Sequence, residues 1–128
     1  DNYPTHFIHC TETSKDEKAY LASQGHSIAH CPRSNRLLGT QKLAIEDINN
    51  TMSIATDGLS SNWSLSIWDE LRSVLMLHHQ APIEKLANRC IKAITSDAAK
   101  SIRSDVGVLA KDKPADISIV TLPSKCEN

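Results

Sequence analysis

The chain has 128 residues, enough for one domain with a hydrophobic core, and its hydrophobic and charged fractions of 40% and 23% are ordinary for a soluble globular protein. Its formal net charge of −1 gives no electrostatic reason to expect nucleic acid or an acidic membrane surface as a partner. No apolar run approaches the roughly 20 residues needed to cross a bilayer, no signal peptide is visible, and four widely spaced cysteines without a CxxC pair predict reduced thiols in a cytoplasmic protein.

The first half of the chain is predicted to alternate strands and helices. Three short apolar runs each end in a polar cluster, and helical patterns separate them. Thr13 with Asp16 is typical of a helix start, and Gly25 is typical of the end of that helix. This alternation favours parallel βα units. The predicted elements are, in chain order, a strand over 5–9, a helix over 13–23, a strand over 27–30, a short helix over 43–49 and a strand over 52–55.

The second half is predicted to be mostly helical. Ser66 and Asp69 form a capping signature before one helix, and Pro82 suits the first turn of the next. A shorter helix over 96–103 and a final strand over 115–120, followed by Pro123, complete the pattern. We expect one buried face on each long helix. These faces comprise Trp68, Leu71, Val74, Leu75 and His78 in the first helix, and Ile83, Leu86, Ala87, Cys90, Ile91 and Ile94 in the second.

Polar clusters follow the three predicted strands, at residues 9–12, 30–35 and 56–62. In a parallel α/β barrel the C-terminal ends of the strands converge on one mouth, where ligands bind. The imidazoles of His9 and His30 and the carboxylate of Asp57, meeting there, would make a hydrolytic site. A carboxylate can hold a divalent metal, and an imidazole can hold metal or move a proton. Taken singly, each has an ordinary structural explanation: a hydrogen-bonded strand-end histidine, or the aspartate of an Asp-Gly turn.

Two motifs together resemble the amidohydrolase superfamily, in its cytosine-deaminase-like branch of guanine deaminases, triazine chlorohydrolases and adenosine-type deaminases. They are H-S-I-A-H-C-P-R-S-N-R-L-L-G at residues 26–39 and T-D-G-L-S-S-N at residues 56–62. Residues 107–117 resemble that family's return to a small β-sandwich, although Asp112 replaces the usual glycine. The resemblance implies an α/β fold: the C-terminal part of a (β/α)₈ TIM barrel, strands six to eight with their helices, over residues 1–104. A return segment to the β-sandwich follows over 105–128.

The resemblance also implies roles for the polar residues. Asp57 would be the strand-eight metal ligand and would accept the proton of the metal-bound water, while His9 would hydrogen-bond the attacking water or the substrate. His30, Ser61 and Asn62 would line the substrate site. The cofactor implied is one divalent metal, zinc first and iron as the alternative, with an incomplete ligand set in this chain. Residues 9–12, H-C-T-E, also fit the family's strand-five H-x-x-E pattern, so strand five stays open as an alternative to strand six.

The function that the resemblance implies is hydrolytic deamination, or the related dechlorination, of an amino-substituted heterocycle such as a purine, a nucleoside or a triazine. The family's H-x-H metal ligands are absent from the sequence. We therefore expect that the chain is one piece of an enzyme or that a second polypeptide completes the barrel. The alternative is a catalytically inert structural or interaction fragment. For Arg33 and Arg36 we expect solvated positions at the surface.

Overall fold

A three-stranded parallel sheet forms the framework in the computed structural model, which describes residues 3–121. The strands are β1 (His6–Ile8), β2 (Ser27–His30) and β3 (Met52–Ile54), and they lie side by side in chain order. His6 pairs with Ser27 across the first ladder and His30 with Ile54 across the second. The predicted parallel pairing of the second and third strands is confirmed, so the polar segments after all three strands emerge at one edge of the sheet.

Helices connect the strands and follow the third one. The C-terminal helices α3 and α4 pack against each other, and α4 and α5 both contact β3. No helix in residues 3–121 is long and apolar enough to cross a membrane. The helical elements are α1 (Lys15–Ser23), α2 (Pro32–Leu37), a 3₁₀ turn (Ile45–Asp47), α3 (Ile67–Leu77), α4 (Ile83–Ile94) and α5 (Ser96–Ser101).

The start of α1 lies one residue later than the sequence predicts. Ser14, not Thr13, is the N-cap: its hydroxyl accepts a hydrogen bond from the backbone N–H of Glu17, and the Glu17 carboxylate accepts one from the backbone N–H of Ser14. This reciprocal pair satisfies two backbone donors that a helix start leaves open. Thr13 instead donates its hydroxyl proton to the Cys10 carbonyl at 2.6 Å.

The sequence analysis predicts no helix between the strand over 27–30 and the helix over 43–49, yet α2 forms there within the polar cluster at residues 30–35. Proline is well suited to the first turn of a helix, where its missing N–H has no helical partner to lose. Asn35 N–H then donates to the Cys31 carbonyl at 2.9 Å. This short helix buries the four residues from Pro32 to Asn35, directly after the end of β2.

The hydrophobic core lies between one face of the sheet and helices α3 and α4. The face carrying Ile28 and Ile54 contacts this core, and the opposite face is more polar. There the side chain of His6 on β1 reaches across β2 towards β3, with its Nδ1 2.7 Å from Ser27 Oγ and its Nε2 3.3 Å from Ser53 Oγ. The core cluster comprises Ile28, Leu43, Ile45, Ile48, Met52, Ile54, Leu71, Val74, Leu86, Cys90 and Ala93.

The predicted buried face of α4 is partly wrong. Leu86 and Cys90 are each 3% exposed, as expected, but Ile83 is 63% exposed and Ile91 is 50% exposed. Ala93 is buried as well, and Ile94 is partly buried and packs against the core, as expected. Ile83 and Ile91 lie on the flank of that stripe, beyond the part of the helix that the sheet and α3 cover.

The segment after α5 has no helix or strand up to residue 121, and residues 108–121 are exposed. The strand predicted over 115–120 does not form: residues 111–121 are all exposed, and residues 3–121 provide no neighbouring strand whose backbone could pair with them. Gly107 is required where it stands: its φ is +84°, and a Cβ there would lie 2.8 Å from the Thr95 carbonyl oxygen. Asp112 has φ 62°, which accounts for the glycine usual at this position. Pro123 and the rest of the predicted sandwich segment lie outside the described residues.

Candidate active site

Asp57 lies just after β3, with its carboxylate held by three hydrogen-bond donors. Its Oδ1 accepts the Gly58 N–H at 2.8 Å, and its Oδ2 lies 2.7 Å from Ser34 Oγ and 3.0 Å from Ser61 Oγ. These hydrogen bonds, the one from Ser34 most of all, lower the pKa of Asp57 below the usual carboxyl value. About a third of the side chain, 34%, is exposed. The carboxylate is therefore ionised near neutral pH and open to a bound molecule.

The two serines that hold Asp57 come from different elements. Ser34 lies on α2 and is fully buried, and Ser61 lies in the loop between β3 and α3. Their hydroxyl oxygens are 2.8 Å apart. Since each hydroxyl has one proton, both can donate to Asp57, or one can donate to the other. The position of the carboxylate thus depends on how α2 and this loop are held together.

His9 is the second polar residue at this edge of the sheet. It follows β1 with φ 69°, and its backbone N–H donates to the Ala29 carbonyl at 2.9 Å. Its Nδ1 lies 2.7 Å from Asn35 Oδ1, and its Nε2 lies 3.7 Å from Asp57 Oδ2. The last distance exceeds that of a hydrogen bond. The structure therefore brings the His9 imidazole and the Asp57 carboxylate together, with Asn35 on the far side of the ring.

Asn62 holds the loop after Asp57 in place through hydrogen bonds of its side-chain amide. Its amide nitrogen donates to the Thr56 carbonyl and to Glu70 Oε1, both at 2.7 Å. Asn62 is 3% exposed and Glu70 is fully buried. Because this amide is buried and Ser61 is bonded to Asp57, the structure gives both residues a supporting position; substrate contact by either stays a prediction.

Arg33 is buried, and the expectation that it is solvated at the surface is wrong. It is 3% exposed, and its guanidinium nitrogen Nη1 lies 3.4 Å from Glu70 Oε1 and 3.5 Å from Asp69 Oδ2. The guanidinium also lies over the Trp63 ring, 4.1 Å from its centre. Helix α2 accounts for the difference, since it turns Arg33 towards α3 while Arg36 stays exposed.

His30 does not join the residues around Asp57. It lies on the sheet face that carries Ile28 and Ile54, it is 1% exposed, and neither ring nitrogen has a hydrogen-bond partner among the described residues. Its ring meets that of His78 edge-on, with the centroids 5.7 Å apart. Burial, followed by the charge of His78, lowers the pKa of His30 to about 3. Contact between His30 and a substrate would require the ring to leave this packed position.

Three residues of the site were missed as candidates: Ser34, Asn35 and Glu70. Ser34 and Asn35 stand in the motif that carries the family resemblance, but their side chains acquire meaning only once α2 is recognised as a helix. Pro32 at its first turn was the available signal. Glu70 gives no local signal, since an acidic residue in the first turn of a helix is usually solvated and stabilises the helix dipole.

The described residues do not form a complete metal site. Within residues 3–121 there is no group of three histidine, cysteine, aspartate or glutamate side chains that could hold a metal ion. A hydrolytic zinc site uses about three protein ligands and an open position. Asp57 and His9 offer one carboxylate and one imidazole, so further ligands would have to come from outside these residues.

Comparison with known proteins finds one family. Residues 4–127 match the sequence profile of the Amidohydrolase family. The chain is 36% identical over 125 residues to an aminodeoxyfutalosine deaminase of Nitratiruptor sp., covering 97% of the chain and 31% of that protein. It is 38% identical over 120 residues to an adenosine deaminase of Helicobacter pylori, covering 90% of the chain and 29% of that protein. The chain thus spans about a third or less of the curated relatives it matches.

Solved structures give the same correspondence in three dimensions. A Helicobacter pylori aminofutalosine deaminase in complex with methylthio-coformycin superposes with a TM-score of 0.81 at 37% identity, over 88% of this chain and 28% of that one. A triazine hydrolase variant superposes with a TM-score of 0.77 at 24% identity, over 86% of this chain and 26% of that one. At that identity the second likeness concerns the fold alone. The described α/β unit corresponds to a portion of these barrels.

Proposed function

The chain belongs to the amidohydrolase family, and on that premise we propose that it is part of a metal-dependent hydrolase that deaminates an amino-substituted heterocycle. A purine or nucleoside is the proposed substrate class, because relatives at 36% and 38% identity are named as deaminases of aminodeoxyfutalosine and adenosine. Dechlorination of a triazine is the related alternative. The observation that carries the proposal is the juxtaposition of Asp57 and His9 at the C-terminal ends of parallel strands.

Asp57 and His9 have different proposed roles. Three hydrogen-bond donors hold Asp57 ionised, which suits a carboxylate that ligates a cation and accepts the proton of an attacking water. His9 directs its Nε2 towards the same carboxylate oxygen, which suits a ring that orients the water or the substrate. Ser61 supports Asp57 and Asn62 supports the loop, and contact of both residues with the substrate remains part of this proposal.

For the metal, we propose that Asp57 is the carboxylate ligand that this chain supplies, with zinc before iron as the ion. The remaining ligands belong to the part of the enzyme that the described residues do not include. Metal analysis of the complete protein that carries this chain, beside the Asp57→Asn variant, tests this assignment without an activity assay. Equal metal content in the two proteins would remove Asp57 from the ligand set.

A second candidate is a non-catalytic interaction segment that docks on another polypeptide. It is favoured by the sheet, in which β1 and β3 are both edge strands within the described residues and leave backbone groups available for pairing. The intact mass of the purified material, including any companion polypeptide, separates a barrel completed by a second chain from one completed within the same chain. The inert candidate predicts that no metal is bound tightly.

Ammonia release by the complete protein tests the proposed reaction. Adenosine, other 6-aminopurine nucleosides and guanine form the first panel, and a chlorotriazine, followed by chloride release, tests the alternative. We expect ammonia from at least one 6-aminopurine nucleoside and a loss of that activity in Asp57→Asn. Failure of the metal-replete protein to release ammonia or chloride from any of these compounds would contradict the proposal.

The cysteines described, Cys10, Cys31 and Cys90, are unpaired, so the proposed setting is the reducing cytoplasm.

A further inference from the structure

The contact between Asn35 and His9 has a consequence for the chemistry of the imidazole. We propose that Asn35 is a positioning residue that holds His9 as the tautomer with its proton on Nδ1, leaving the Nε2 lone pair facing the mouth of the site. The inference deepens the proposed function, because it specifies the state of the histidine which that function uses. The tautomer itself is a property of the folded protein and can be measured without any substrate.

Asn35 is well fixed for this purpose. It is 4% exposed, and its backbone carbonyl accepts the Thr40 N–H at 3.0 Å and the Thr40 hydroxyl at 3.1 Å. Two residues earlier on the same helix, the Arg33 N–H donates to the buried Glu70 carboxylate at 3.2 Å. Both ends of this short helix are thus tied to neighbouring structure, which fixes the Asn35 backbone beside the His9 ring. Among the described residues the Asn35 amide nitrogen has no hydrogen-bond partner, so the contact of its oxygen with His9 is what orients the amide.

The atoms in contact determine where the proton is. In the structure the Asn35 amide presents its oxygen to the ring, and a carboxamide oxygen can only accept a hydrogen bond, so in this arrangement the ring nitrogen 2.7 Å from Asn35 Oδ1 carries the proton. In a neutral imidazole the other nitrogen, Nε2, then has a lone pair and can accept a proton. The partner of one ring nitrogen thereby sets the chemistry of the other.

In the opposite tautomer His9 would donate from Nε2, and no acceptor among residues 3–121 lies within hydrogen-bond distance of that nitrogen. The nearest carboxylate oxygen, Asp57 Oδ2, is 3.7 Å away, beyond hydrogen-bond distance. That oxygen is already within reach of the hydroxyls of Ser34 and Ser61. Asp57 is therefore satisfied without His9, and Nε2 is left for a molecule bound between them.

Nuclear magnetic resonance measures the tautomer directly. In the two-bond proton–nitrogen correlation spectrum of isotope-labelled histidine, the complete protein that carries this chain should show a protonated Nδ1 and an unprotonated Nε2 for His9. The His9→Gln variant identifies the signals by their loss. A wild-type spectrum with the proton on Nε2 would overturn the proposal.

Two substitutions at Asn35 separate tautomer control from simple packing. Asn35→Asp presents only acceptors, so Nδ1 should keep its proton; Asn35→Leu has no acceptor, so the ring should shift towards the Nε2-protonated form. Asn88→Leu, at an exposed position of α4, is the matched control and should leave the His9 signals unchanged. If Nδ1 stayed protonated to the same extent in Asn35→Leu, Asn35 would not be setting the tautomer. If Asn35→Leu does not fold, loss of the Nδ1 proton in Asn35→Asp would overturn the proposal equally.

Turnover distinguishes this inference from the proposed function. Removal of a residue that orients a functional histidine typically costs about 10–100-fold in activity. We expect Asn35→Leu to lower kcat by that factor with a small change in KM, and Asn35→Asp to retain more of the rate. If His9 has the predicted tautomer but the enzyme releases no ammonia, the inference stands and the proposed function is contradicted. If His9 carries its proton on Nε2 in an active deaminase, the proposed function stands and the inference is contradicted.

Discussion

The buried carboxylate of Glu70 accepts a 2.7 Å hydrogen bond from the side-chain amide of Asn62. The same carboxylate accepts the Arg33 N–H at the start of α2. Since Ser34 on α2 and Ser61 beside Asn62 both hold Asp57, Glu70 joins the two elements on which the position of that carboxylate depends. Glu70, which is fully buried on α3, therefore holds in place the two elements that position Asp57.

Replacement of Glu70 by glutamine is expected to destabilise the protein. The change keeps the shape but removes the charge that lies 3.4 Å from the Arg33 guanidinium, in a position where water cannot replace it. Breaking one side of a buried ion pair costs about 3 kcal/mol. Urea denaturation of the complete protein measures this loss. Glu84→Gln, on an exposed position of α4, is the matched control, and equal unfolding free energies for the two variants would contradict the role assigned to Glu70.

Ser34→Ala is expected to lower turnover more than stability. The substitution removes the hydroxyl 2.7 Å from Asp57 Oδ2 but leaves Ser61 and the Gly58 N–H in place, so the carboxylate is misplaced rather than lost. A loss of about 10–100-fold in kcat is typical of removing such a supporting contact. Steady-state kinetics beside Ser23→Ala, an exposed serine at the end of α1, gives the comparison. Unchanged kcat in Ser34→Ala would show that this hydroxyl does not position Asp57.

The His30–His78 pair predicts a loss of stability in mild acid. Burial lowers the pKa of His30 to about 3 and that of His78 to about 4, whereas both are near 6.5 in an unfolded chain. As pH falls below about 6.5, the unfolded chain binds protons that the folded protein does not, so stability falls through the window down to about pH 4. Each such histidine contributes a slope of up to about 1.4 kcal/mol per pH unit.

His30→Phe tests that linkage, because it keeps a flat ring and removes the titration. Urea denaturation between about pH 6.5 and pH 5 gives the slope of unfolding free energy against pH. In His30→Phe this slope should be smaller by the contribution of one histidine, up to about 1.4 kcal/mol per pH unit. His79→Phe, at an exposed neighbouring position, is the matched control for the substitution itself. A wild-type slope retained in His30→Phe would mean that His30 is not kept neutral by the fold.

The sequence was sufficient for the features that repeat or that carry a motif. Alternating apolar runs and polar strand ends predicted three parallel strands, and the Asp-Gly turn after β3 placed Asp57 at the correct edge of the sheet. Helix α2 escaped prediction because serine and asparagine after a proline favour loops as readily as a helix start. That helix determines the side-chain positions of Arg33, Ser34 and Asn35, so these positions could not be predicted without it.

Side-chain alternation along β2 accounts for one of the other differences, and packing between elements accounts for the rest. His30 was expected at the mouth because it ends a strand, but the alternation of side chains along β2 places it on the helix-covered face with Ile28. The spacing of Ile83 and Ile91 correctly predicts a helix, yet how much of its face is buried depends on what packs against it. The strand predicted over 115–120 likewise depends on a neighbouring strand that residues 3–121 do not provide.

Under the proposed function, Asp57 is the residue of this chain on which hydrolysis is expected to depend most. Asp57→Asn keeps the shape but removes the charge and the basicity, and loss of general acid–base help typically costs about 10²–10⁴-fold in rate. His9→Ala should cost less, because it removes orientation without removing the carboxylate. The direct measurement is ammonia release from a 6-aminopurine nucleoside by the complete protein and these two variants. The account predicts that Asp57→Asn is the more impaired of the two; near-normal turnover in Asp57→Asn would contradict it.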